Sequence, residues 1–136
     1  MKIDDSNISL CKVVYADKSR TNLLGLIVGD VIERSLKDSV GIERCKNLRG
    51  DIELEAGKMR TNLSFRGDTI LVNEKSETKP RARVSGDLES LTQVALGQKL
   101  FAPYFSGKLK ISGNIFFILK ILPLLRDSKK KNNEQN

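Results

Sequence analysis

The eleven residues Ile115–Leu125 are apolar on nearly every side, interrupted only by Lys120 and closed off by Pro123, and they restrict the chain more than any other segment. A helix of this kind must be buried in a large core, inserted in a bilayer, or covered by a ligand or partner. As a helix the run rises only about 16 Å, too little to cross a hydrocarbon core of about 30 Å. A chain of 136 residues makes one domain with barely enough protein to wrap such a helix. An apolar ligand on its inner face is therefore physically reasonable, since each methylene withdrawn from water gives about 0.8 kcal/mol before ordering costs.

Charge follows the same asymmetry. The net charge is +7, yet residues 1–98 hold 16 basic and 15 acidic side chains, whereas 99–136 hold eight basic ones against Asp127 and Glu134. Cations beside aliphatic sequence suit an anionic membrane surface better than a duplex groove. Lys108, Lys110, Lys120 and Arg126 are the expected membrane contacts, and no nucleic-acid partner is expected. Composition then removes whole classes of chemistry. No histidine is present, which takes away the commonest general base and zinc ligand. No paired carboxylates stand on an apolar background, and there is no phosphate-binding glycine loop or nucleophile elbow. The expectation is a non-enzyme with no metal and no cofactor. Cys11 and Cys45 form no CxxC pair and are expected to be free thiols, because Met1–Asp5 is polar and acidic with no apolar export segment. That same start leads us to expect a cytoplasmic protein, and the basic residues beside the apolar segment lead us to expect it to be peripheral at the inner membrane.

Along the chain, residues 1–20 read as an irregular lead-in. Thr21 or Asn22 then caps an amphipathic helix through Leu24, Ile27, Val28, Val31, Ile32 and Leu36, with Gly25 and Gly29 placed for close packing against a sheet. Past Gly50 the period becomes two. Asp51–Ala56 sets Ile52, Leu54 and Ala56 on one face and three carboxylates on a wet one; Met59–Phe65 points Met59, Thr61, Leu63 and Phe65 inward; Thr69–Asn73 is a third strand. Arg66-Gly67-Asp68 is a charged turn rather than an adhesion signal. A polar loop leads to a fourth strand, Arg81–Ser85, and the close turns predict a meander. Asp87 caps a helix through Leu88, Leu91, Val94 and Ala95 that stops at Gly97. An aromatic turn with Phe101, Tyr104 and Phe105, a fifth strand at Gly107–Ser112, and the apolar helix complete the order, with Pro123 expected to bend or end that helix near Leu119 and Ile121.

Gly97, Phe105 and the octapeptide Gly107-Lys108-Leu109-Lys110-Ile111-Ser112-Gly113-Asn114, in this order of elements, resemble the sterol-carrier-protein-2 family over about residues 21–126. The resemblance implies an α+β fold with a five-stranded, mostly antiparallel sheet covered on one face by helices. It also implies an apolar tunnel between the layers that takes sterols, acyl chains or isoprenoids. Bacterial relatives of this fold include accessory proteins of ubiquinone biosynthesis, so lipid- or quinone-metabolising enzymes become expected partners. On this reading Leu54, Met59, Leu63, Phe65, Phe101, Phe105, Leu109, Ile111, Ile115, Phe116, Leu119 and Leu122 contact the lipid, and residues 127–136 form a disordered polar tail. The competing reading is an interaction domain that docks through its apolar C-terminal helix.

Overall fold

The computed structural model describes residues 11–76, 78–96 and 107–134, with side chains described up to Leu125. In chain order its elements are β1 (Lys12–Tyr15), α1 (Leu23–Ser35), α2 (Ser39–Lys46), β2 (Arg49–Ala56), β3 (Met59–Arg66), β4 (Thr69–Asn73), β5 (Ala82–Gly86), α3 (Leu88–Ala95), β6 (Leu109–Gly113) and α4 (Ile115–Glu134). The strands form one six-stranded sheet in the order β1-β4-β3-β2-β5-β6. Helices α1, α3 and α4 lie over the face that carries Ile52, Leu54, Leu63 and Val84, and α2 packs on α4.

The α+β class stands, with one strand more than expected. The supposed lead-in supplies it: Val13, Val14 and Tyr15 pair in parallel with Ile70, Leu71 and Val72 of β4. β-Branched and aromatic residues suit an edge strand, but a strand of four residues with a partner so distant in sequence leaves little local signal. The meander also needs correction. β2, β3 and β4 follow one another antiparallel, whereas β5 crosses over and pairs in parallel with β2 on its other side. The polar segment before Pro80 is long enough for that crossing, where a tight turn would have enforced adjacency.

Helix ends follow their caps. The side chains of Asn22, Asp38 and Asp87 accept from the N–H groups of Gly25, Gly41 and Ser90. The Asp38 cap opens α2, a helix that the sequence reading passes over because its eight residues carry few apolar positions. Gly25 and Gly29 do mark close approach. A methyl at Gly29 would fall 2.4 Å from the Tyr15 hydroxyl, and one at Gly25 would fall 3.2 Å from Thr61 Oγ1, so α1 sits hard against β1 and β3.

Three further expectations change. Cys11 and Cys45 are joined in a disulfide with their Cα atoms 6.8 Å apart, tying the start of β1 to α2. The helix α4 runs past Pro123 to Glu134 instead of giving way to a tail. Finally, the wet side of β2 is largely covered: Asp51 is 8% and Glu53 7% exposed. Asp51 accepts from Ser64 Oγ (2.7 Å), Ser76 Oγ (2.8 Å), Asn62 Nδ2 (3.2 Å) and Thr78 Oγ1 (3.3 Å), so the crossing loop is pinned across it. Glu53 lies between Arg83 and Arg60, at 2.5 and 3.7 Å.

Candidate functional site

Between the sheet and its helices lies a narrow cavity of about 60 Å³. The strands contribute Ile52 and Leu54 from β2, Leu63 from β3 and Val84 from β5. Val28 and Ile32 come from α1, Leu91, Val94 and Ala95 from α3, and Ile118, Ile121, Leu122 and Leu125 from α4. Every lining side chain is apolar, and none can titrate. The wall follows directly from the two periodicities: alternate residues of each strand and every third or fourth residue of each helix turn toward the same interior. Such a surface can only exclude water and accept hydrocarbon; it has no group to transfer a proton or attack a bond. Among the described residues no cluster of His, Cys, Asp or Glu could hold a metal ion. No helix among them is long and apolar enough to cross a membrane.

Of the residues singled out from sequence, Leu54, Leu63 and Leu122 line the cavity. Phe65 and Leu109 are fully buried in the core beside it, with the Phe65 ring edge-on to Phe117 at 6.2 Å between centroids. Met59 and Ile111 are half-buried and pack on that core, and Ile115 is half-buried at the start of α4. Phe116 and Leu119 point the other way, 71% and 38% exposed. Phe101 and Phe105 lie outside the described residues. Lys108, Lys110 and Lys120 are all exposed, and the Arg126 side chain lies outside the described residues.

The orientation of α4 was recoverable. Lys120 is the one polar residue in the run, and Phe116 and Pro123 share its face at i−4 and i+3, which turns Ile118, Ile121, Leu122 and Leu125 inward. At the N-terminus Asn114 Oδ1 accepts from the N–H groups of Phe116 and Phe117 at 3.0 and 3.3 Å and fixes this phase. Further along, the Pro123 carbonyl accepts from Arg44 Nη1 at 3.1 Å and the Leu124 carbonyl accepts from the Ser35 hydroxyl, so α1 and α2 hold the helix where proline weakens its own ladder.

Comparison with known proteins agrees with this geometry. The profile of the SCP-2 sterol transfer family matches residues 30–126. Among solved structures, a UbiJ-SCP2 ubiquinone synthesis protein superposes with a TM-score of 0.67 at 16% identity, covering 78% of this chain and 95% of that one. Sterol carrier protein domain 2 of Helicoverpa armigera gives 0.61 at 17% identity, with 76% and 85% covered. Sterol carrier protein 2 of Yarrowia lipolytica in its apo form gives 0.54 at 19%, with 74% and 88% covered. A comparison with curated proteins returns no match.

Proposed function

The chain belongs to the SCP-2 sterol transfer family, and from that premise we propose that it is a non-catalytic carrier or presenter of an apolar lipid held between its sheet and helices. The observation that carries this reading is the wholly aliphatic wall described above. Isoprenoid, fatty-acyl and sterol-like chains all meet its chemistry, because hydrocarbon burial alone supplies the affinity. At about 60 Å³ the empty cavity is narrow, so entry of a chain must part α3 or α4 from the sheet. One protein of similar structure is named for ubiquinone synthesis, which supports trying isoprenoid quinone precursors first and seeking quinone-metabolising enzymes as partners.

The exposed Phe116 and Leu119, with Lys120 between them and Pro123, support the second part of the reading, a transient seat on an anionic membrane. Extraction of the purified chain into organic solvent followed by mass spectrometry is the direct test. A co-purifying lipid, or saturable binding of a fluorescent fatty acid, is the expected result. Absence of both would overturn the carrier reading and leave α4 as a protein-docking helix.

A further inference from the structure

The three helices that close the cavity are held in different ways. Helix α1 is anchored at both ends. Asn22 Nδ2 donates to the Arg60 carbonyl and Asn22 Oδ1 accepts from Thr61 Oγ1, each at 3.0 Å, while the Ser35 hydroxyl donates to the Leu124 carbonyl. Helix α4 is fixed from several sides. Its cap residue Asn114 donates from the backbone N–H to the Arg81 carbonyl at 2.7 Å, and the carbonyls of Pro123 and Leu124 are bound by α2 and α1. Between these points the Phe117 ring sits edge-on to Phe65, with the Arg81 guanidinium 4.8 Å from its centroid.

Among the described residues, α3 makes no such tie. Its cap Asp87 accepts from Ser90 N–H at 3.2 Å and from Ser90 Oγ at 2.8 Å, both within its own first turn. No other hydrogen bond or ion pair joins a side chain of Leu88–Ala95 to a described residue. What holds α3 down is apolar: Leu91, Val94 and Ala95 are buried and Leu88 is half-buried. The first three are themselves wall of the cavity. A helix of eight residues does not persist without packing, and apolar contact has no direction that enforces one seat. Hydrocarbon entering beneath α3 would replace the contacts it displaces, so the lifted helix loses little burial. Lifting α4 instead would part the buried Ser35 hydroxyl from its acceptor, which costs a full desolvation. The displacement also has a defined start. A methyl at Gly86 would fall 2.5 Å from the Lys108 carbonyl oxygen, so the end of β5 is packed against β6 and movement begins at Asp87.

We propose that α3 is the moving wall through which an apolar chain enters the cavity, while α1 and α4 stay in place. The identity of the occupant rests on the carrier reading above; the mobility of α3 does not. Native-state hydrogen exchange of the ligand-free full chain, followed by mass spectrometry in rising sub-denaturing guanidinium chloride, tests the mobility directly. The amides of Leu91–Leu96 should exchange through a local opening that needs no denaturant, and those of Ile118–Leu125 only with global unfolding.

Asp87 is exposed, so its substitution leaves the core intact. Asp87→Ala should speed both α3 exchange and the association of a fluorescent fatty acid by about fivefold. Asp87→Asn, whose side chain also caps, should match the native chain. Ser35→Ala, which unties α4 from α1, should not quicken association. Exchange in α4 as fast as in α3 would overturn the proposal, as would an association rate that ignores Asp87→Ala or rises equally with Ser35→Ala. If no fatty acid binds while α3 alone opens locally, the carrier reading falls and the mobile wall stands. Binding with α4 opening first keeps the carrier and sinks the idea.

Discussion

Asp51 ties together β2, β3 and the crossing loop through the four side chains that donate to it. Burial alone would push its carboxyl up, but hydrogen bonds from Ser64, Ser76, Asn62 and Thr78 outweigh that and hold it below the ordinary aspartate value. The sign follows: a carboxyl depressed in the folded state adds stability above the unfolded pKa near 4, and that stability is lost as pH falls through the folded value. Thermal melts should therefore weaken below about pH 4. Asp51→Asn should cost about 1–3 kcal/mol at neutral pH and flatten that acid limb; an unchanged limb would assign it to other carboxylates. The sequence showed the alternation that put Asp51 opposite Ile52, but alternation reports only the face. Burial of that face arises from Ser76 and Thr78 in a loop that returns from β4, a tertiary contact with no local signature.

At the scale of an element, α4 separates an inner from an outer row. Ile118→Ala should cost about 2–4 kcal/mol and enlarge the cavity, with altered binding of a fluorescent fatty acid. Phe116→Ala should leave stability within about 0.5 kcal/mol and leave that binding alone, since the ring is turned outward. If the two substitutions behaved alike in chemical denaturation, the assigned phase of the helix would be wrong. Most elements were legible because caps and periodicity act locally: Asn22, Asp87 and the strands from Asp51 to Asn73 are examples. The continuation of α4 beyond Pro123 was not, since it depends on Ser35 and Arg44 reaching across from other helices. Only part of the wall was legible for the same reason. Alternation identifies Leu54 and Leu63 without help, whereas the helical residues Val28, Ile32 and Ile118 face the cavity only because three helices converge there.

For the whole molecule, the proposed seat on an anionic surface rests on the exposed cations. Vesicles containing phosphatidylglycerol should bind the chain at low salt and release much of it near 0.15 M, where charges are screened beyond about 8 Å. Phe116→Ser combined with Lys120→Glu should weaken that association in a flotation assay; retention at full strength would move the contact face elsewhere. The octapeptide, its neighbouring helix and the order of elements made the family legible in the sequence. The order of strands was not, because a parallel partner is chosen by the crossing loop and by neighbours, not by the strand's own residues.

The edge strand β1 brings a liability under control. It occupies the open side of β4, and the bond from Cys11 to Cys45 fastens it there. A chain beginning at residue 21 would bare the main-chain donors and acceptors of Thr69–Asn73, a segment rich in Ile, Leu and Val that could template strands from other molecules. Such a chain should scatter light and bind thioflavin on standing at concentrations where the full chain stays clear. Residues 11–15, which are not among the described residues lining the cavity, would then govern how long the protein survives as separate molecules.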